Sequence, residues 1–346
     1  MSAAFDISEP GMPAARGAPV PIDQQPGLSL FWWRSPAGNF GDDINLWLWD
    51  RLMPGWQDWR AEGVLVGVGS LLNTDLLPRA DRYLVIGAGH GYGTPPRPAD
   101  HAAHWDVRAV RGPITAELMG LDPSLGVIDP AAMTARLEDF ASPLRTGGTL
   151  FVPHCHSDID PDYDWPAATA EAGLRYQSPR ATPHEVIRTI AGADLVVTES
   201  MHGAIIADAF RVPWVPVSLN DRFSTVKWRD WMASLEIEPP TIIPLPQPIR
   251  RARAALRTVR ARLRGEGGRP PGTATPRVLA PGTTPDDLKS RAVVHLRGAQ
   301  QRLVVNALRA AATARPTLSR PGVTEERLDR LFEIIDAVRR DYGCPR

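Results

Sequence analysis

Short apolar runs of β type, many ending in glycine or a polar residue, alternate with helical segments along most of this chain. That alternation restricts the fold more than any other feature. The runs cover residues 28–33, 64–68, 83–86, 107–110 and 126–128, then 149–152, 194–198 and 214–217. Between them, residues 42–52, 113–119, 183–191 and 202–210 have helical composition and spacing. Strands alternating with helices predict parallel sheets in an α/β protein. Residues 138–148 hold a proline and a glycine pair and read as a linker. Two doubly wound domains facing across a cleft follow, at 28–145 and 146–240, with ligands outside the carboxyl ends of the strands. Residues 1–27 read as a disordered lead-in. Beyond 240 come an Arg-rich segment with its linker (241–285) and a C-terminal helical extension (286–346), with helical runs at 286–312 and 324–341.

Composition narrows the class. Of 346 residues, 43% are hydrophobic and 23% charged, which suits a soluble globular protein with real cores. No run approaches the 18 apolar residues that a membrane-spanning helix needs. The two cysteines, Cys155 and Cys344, are too few and too far apart for a disulfide framework or a Cys-rich zinc site, which fits a reducing cytosol. The net charge of zero conceals an asymmetry: residues 1–248 carry 18 Lys+Arg against 30 Asp+Glu, and residues 249–346 carry 21 against 9. The basic tail either meets an anionic surface or packs on the acidic body. Within it, Arg250, Arg251, Arg253, Arg257, Arg260, Arg262 and Arg264 interleave with Ala252, Leu256, Val259 and Leu263 at helical spacing. That pattern describes an amphipathic basic helix on anionic lipid, or a solvated helix. Nucleic acid is disfavoured because the segment has no aromatic residue to stack on bases.

The motifs fall at strand ends. Asn39-Phe40-Gly41-Asp42-Asp43 follows the first run, where Asn39 or Asp42 can cap the next helix and a carboxylate can orient a sugar hydroxyl. Gly67-Val68-Gly69-Ser70 and Gly87-Ala88-Gly89-His90-Gly91 are neither a dinucleotide fingerprint nor a phosphate-binding P-loop, so NAD and ATP chemistry lose ground. Arg111 precedes Gly112-Pro113 at a helix start; it either holds a phosphate or carboxylate or pairs with Asp129 or another carboxylate. Glu199-Ser200-Met201-His202-Gly203 repeats that geometry in the second half, and a dianion beside His202 would keep it protonated as an acid. His154-Cys155-His156, trailed by Asp158, Asp160, Asp162 and Asp164, permits a metal reading, but His154 fits better as a cleft residue before a solvated acidic loop. Most of the eleven tryptophans belong to the core.

Taken in order, these motifs, with Asp129-Pro130-Ala131 and Arg211-Val212-Pro213-Trp214-Val215-Pro216, resemble the polysaccharide pyruvyltransferase family over residues 28–235. The likeness is to its bacterial exopolysaccharide branch of succinoglycan-type ketal transferases. The resemblance implies two facing Rossmann-like halves of the GT-B-like kind, with the acceptor on the first and the donor on the second. It implies phosphoenolpyruvate as donor, a lipid-linked oligosaccharide as acceptor, a cyclic pyruvate ketal as product and phosphate as the leaving group. No cofactor is implied beyond that co-substrate, and no metal ligand is assigned, a divalent ion being permitted but not required. The setting implied is the cytoplasmic face of the inner membrane, reached through Arg250 to Arg264. On this reading His202, Arg111, Asp42 and Asp43 are catalytic: His202 as acid, Arg111 holding the donor, and Asp42 or Asp43 as base or sugar-orienting carboxylate. Asn39, Gly41, Gly69, Ser70, His154, Ser200, Gly203, Arg222 and Lys227 line the substrate site, with Arg222 and Lys227 in the loop after the last strand. A nucleotide-sugar-dependent glycosyltransferase of the same shape, and a non-catalytic membrane scaffold, are the rival readings.

Overall fold

The computed structural model describes residues 27–219, 224–248 and 285–343, with side chains from 297 onward in the last stretch. Residues 1–26, Arg222, Cys344 and residues 249–284, which hold Arg250 to Arg264 and most of the linker, lie outside the described residues.

Two parallel sheets organise the chain. The first takes β1 (Leu28–Phe31), then α1 (Phe40–Asp43) and α2 (Asn45–Leu52), β2 (Gly63–Val66), β3 (Arg82–Ile86) and β4 (His104–Ala109), followed by α3 (Pro113–Leu118). Its strand order is simply β1-β2-β3-β4, every pair parallel. The second takes β5 (Thr149–Val152), α4 (Cys155–Asp158), α5 (Trp165–Ala172), β6 (Arg175–Tyr176), α6 (Pro183–Ala191), β7 (Leu195–Thr198), α7 (Met201–Ala209), β8 (Trp214–Ser218), α8 (Thr225–Ser234) and β9 (Ile243–Pro244). Its order, β6-β5-β7-β8-β9, reverses direction between β5 and β7. Doubly wound sheets bind ligands at that kind of switch point, and the loops after β5 and β7 carry His154 and His202.

The strands form where expected because they are apolar on both faces, as parallel strands covered on both sides must be. Val64, Leu65 and Val66 are buried, as are Tyr83 through Ile86. Pro183 and a Thr182 oxygen that accepts from the Glu185 amide start α6, and Val186, Ile187 and Ile190 give it one buried face. Residues 126–128 do not form a strand. Only a parallel bridge joins Val110 to Gly126, because Asp129 and Pro130 turn the chain at once into a 3-10 turn at Pro130–Arg136. The 42–52 helix is broken at Ile44 into α1 and α2.

The halves share one core. Leu65, Leu84 and Ile86 of the first sheet belong to the same cluster as Ala131, Ala132 and Met133 of the 3-10 turn and Ala204 through Ala207 of α7. The two C-terminal helices divide between the sheets. α9 (Pro285–Ala312) buries Val304, Val305 and Leu308 with Phe151, Val197 and Val215 of the second sheet. α10 (Val323–Tyr342) buries Leu328, Leu331, Ile335 and Val338 in the shared core, and its Tyr342 hydroxyl donates to Asp106 of β4 at 2.5 Å. Asp208 fixes the chain between those helices to α7: it accepts from the Ser319 amide (2.9 Å), the Ser319 hydroxyl (2.5 Å) and the Trp214 indole (3.0 Å).

Candidate active site

The loops leaving the carboxyl ends of the strands in both sheets converge. After β1, α1 presents Asp42. Asn39 does not cap that helix with its side chain; its Nδ2 donates to Asp42 Oδ2 at 2.6 Å. Asp43 turns back to accept from the Asn39 amide at 3.3 Å, closing the first turn. Asn45 donates to the Asp42 carbonyl (3.0 Å) and the Val68 carbonyl (2.8 Å) and accepts from the Val68 amide (2.9 Å), tying α1 to the loop after β2. In that loop Gly69 has φ +114°, and a β-carbon there would lie 3.1 Å from Asp42 Oδ1. Burial pushes the Asp42 carboxyl up from 3.8 to about 7, against the pull of Lys227 and Asn39.

His202 lies in the first turn of α7. Ser200 Oγ accepts from the Gly203 amide at 3.2 Å, so Ser200 is the helix cap, and a β-carbon on Gly203 would press on Thr198 Oγ1. His202 is 8% exposed. Its Nδ1 edge abuts Gly41, where a β-carbon would run into the ring. Its Nε2 points at Asp129 Oδ2, 3.9 Å away. Burial, then Lys227 and Arg111, hold the His202 pKa down at about 3, so the ring is neutral here. Burial raises Asp129 to about 6.

Arg111 is fully buried, and its guanidinium is engaged by the protein. Nε donates to Asp230 Oδ2 (3.0 Å), Nη1 to Ser70 Oγ (2.8 Å), and Nη2 to the His90 carbonyl. Gly89 leaves the room the guanidinium needs. Of the two readings open for Arg111, the geometry matches the carboxylate pair, with Asp230 rather than Asp129 as partner. Asp230 also accepts from the Thr115 amide (2.8 Å) and hydroxyl (2.6 Å), so α8 is bolted to α3. Asp230→Ala would leave Arg111 charged and unpaired in the core. A loss of about 3–5 kcal/mol is expected in denaturant unfolding, as for other buried pairs broken on one side.

Lys227 lies on α8, not in a loop, and its ammonium donates to the Tyr92 hydroxyl at 3.2 Å. Its charge is felt by Asp42, His154, Cys155, Glu199 and His202, which makes it the cation common to the cluster. Sequence pattern held two missed signals. Trp228, Trp231 and Met232 are spaced for a helix, and this Arg-rich chain has only two lysines, Lys227 and Lys289.

His154 caps α4, its Nδ1 accepting from the His156 amide at 3.3 Å, and burial drives its pKa well below 6.5. Glu199 accepts from the amides of His154 (3.2 Å) and Leu219 (2.9 Å), bracing the loops after β5 and β8. Burial pushes the Cys155 thiol up to about 12. The acidic run is used locally: Asp158 takes Arg180 (2.9 Å) and Ser178 (2.9 Å), Asp160 accepts from the Asp162 amide, and Asp164 caps α5. Among the described residues, no three His, Cys, Asp or Glu side chains group so as to hold a metal ion.

A parallel α/β scaffold that gathers a neutral histidine, two carboxyls with raised pKa and a lysine at its strand ends has the equipment of an acid–base transferase. The sequence profile of the family described as "Polysaccharide pyruvyl transferase" matches residues 82–221. A relative named "Succinoglycan biosynthesis protein ExoV", from Rhizobium meliloti (strain 1021), is 42% identical over 321 residues, covering 91% of this chain and 100% of its own. No solved structure matches. The chain belongs to the polysaccharide pyruvyl transferase family and is a polysaccharide pyruvyltransferase enzyme.

Proposed function

We propose that this enzyme transfers pyruvate from phosphoenolpyruvate to two hydroxyls of one sugar in an exopolysaccharide repeat unit, forming a cyclic ketal and releasing phosphate. The observation that carries the reading is the pairing of opposite proton states around Lys227: a histidine held neutral and a carboxyl with pKa about 7. The reaction needs one group that takes a proton and one that gives it.

The steps balance with those two groups. Asp42, neutral, protonates C3 of the enol, and C2 becomes electrophilic. The first sugar hydroxyl attacks C2 and yields its proton to His202, forming the C–O bond. The C2–O bond to phosphate then breaks, and His202 returns its proton to the leaving phosphate. The second hydroxyl closes the ring on C2 and gives its proton to the Asp42 carboxylate, restoring it. Two hydroxyl protons leave the sugar; one replaces the proton given to C3 and one departs on phosphate. Lys227 and the amides starting α7 stabilise the donor's charge, with Arg111 acting indirectly by holding Ser70 and α8 in place.

The same reading takes residues 28–145 and 146–240 as two facing Rossmann-like, GT-B-like halves, since the strand ends of both sheets supply the site. No helix among the described residues is long and apolar enough to cross a membrane. The Arg250–Arg264 stretch would bring the enzyme to the anionic cytoplasmic face where a lipid-linked acceptor resides.

Thermal unfolding with phosphoenolpyruvate, inorganic phosphate or UDP-glucose tests the donor. At 100 times its dissociation constant, a ligand stabilises by about 2.7 kcal/mol. Phosphoenolpyruvate should stabilise beyond phosphate, and Lys227→Ala should abolish the difference. Stabilisation by UDP-glucose alone would overturn phosphoenolpyruvate as the donor.

A further inference from the structure

Asp129 is fully buried at the start of the 3-10 turn after residue 128, and its two oxygens have different surroundings. Oδ1 accepts from the Ala131 amide at 3.0 Å, an ordinary cap. Oδ2 has no hydrogen-bond partner among the described residues, although it is shut off from solvent. The same is true of His202 Nε2, and these two atoms face each other at 3.9 Å across the join between the halves. A buried carboxylate oxygen or ring nitrogen left without a partner is destabilising, so two left facing each other call for an explanation. The opposite edge of the ring lies against Gly41, next to Asp42.

We infer that Asp129 is the positioning residue of the site: its Oδ2 holds the His202 ring in the tautomer with the proton on Nε2, leaving Nδ1, on the Gly41 side, as the nitrogen that accepts the sugar proton. The inference rests on the proposed reaction for its chemical meaning but concerns a property of the free protein. It explains why Asp129, beyond its capping bond to the Ala131 amide, directs its second oxygen at His202. It also explains why α7 and the 3-10 turn are packed into one core: the carboxylate and the imidazole must be registered to each other although they come from different halves. A histidine acts through one nitrogen only when the other is fixed.

Asp129→Asn separates this role from capping. Asparagine keeps an oxygen for the Ala131 amide, but it presents an N–H to Nε2 and so selects the opposite tautomer. Nitrogen NMR of histidine-labelled protein, with the His202 signal assigned by its loss in His202→Gln, reads the tautomer directly. In the wild type Nε2 should carry the proton and Nδ1 should be unprotonated; in Asp129→Asn the two should exchange. Turnover should fall about 10²- to 10⁴-fold with the donor KM little changed and the melting temperature preserved, the upper end being the scale of a reversed histidine tautomer. A proton on Nδ1 in the wild type, or an Asp129→Asn variant with unchanged tautomer and turnover, would overturn the inference. The tautomer is measured without substrate. If the wild type fails to use phosphoenolpyruvate, the functional reading falls while the NMR result still decides the role of Asp129.

Discussion

His202→Ala is expected to lower turnover with phosphoenolpyruvate and acceptor by about 10² to 10⁴, the range for removal of an acid–base group, while the protein stays folded. The ring is poised by four features: burial and the charges of Lys227 and Arg111 keep it neutral, Asp129 faces Nε2, and Gly41 admits the Nδ1 edge. None of these depends on His202 for the fold. Ser200 caps α7 through Gly203, and the Ala204–Ala207 face packs the core without help from the imidazole. Alanine is also the better helix former. Steady-state rates, with circular dichroism as the folding control, decide the matter. A folded variant retaining a third or more of wild-type turnover would remove His202 from the chemistry. Binding of phosphoenolpyruvate in this variant should persist, because Lys227 still carries the charge.

The architecture was readable because parallel strands buried on both faces leave continuous apolar runs, and because glycine, proline and polar residues mark their ends. The runs at 149–152 and 183–191 match β5 and α6 residue for residue. Two-residue strands such as β6 and β9 leave no such trace, since their backbone pairing needs no apolar pattern. The run at 126–128 had the right composition but lacked length before Asp129 and Pro130 turned the chain. At the site, strand-end motifs pointed to Asp42 and His202, both of which the fold brings together. Their proton states were not legible, because burial depends on which distant segments close over them. Arg111 shows the same limit: an arginine beside a helix start looks like an anion receptor until Asp230, 119 residues further on, is seen against it. Asp129 was read only as a possible partner of Arg111, since the group it faces, His202, comes from the other sheet's loop.

The pH dependence of Asp42 is the sharper test of the proposed proton inventory. Its carboxyl has a pKa near 7 where an exposed one has 3.8, with burial as the main cause. If Asp42 must be protonated to deliver a proton to C3, kcat/KM should decline as pH rises through about 7, and Asp42→Asn should lose about 10² to 10⁴ of turnover at pH 6. Asn39→Ala removes the 2.6 Å hydrogen bond that favours the ionised form, so it should move the declining limb to higher pH. The wild type's stability should fall over the same pH range. A carboxyl whose folded pKa is raised binds its proton more tightly in the native state, so its contribution is full below the unfolded value and is lost as pH rises through the folded one. Relative to wild type, Asp42→Asn should therefore be about equally stable near pH 3 and more stable at pH 8, where the wild type must hold a buried charge. A variant that is inactive yet more stable at pH 8 is the signature of a carboxyl kept for chemistry at the fold's expense. Unchanged activity across pH 6 to 8 in wild type, with no stabilisation of Asp42→Asn at pH 8, would return Asp42 to the role of a helix-start carboxylate and leave the C3 proton without a donor.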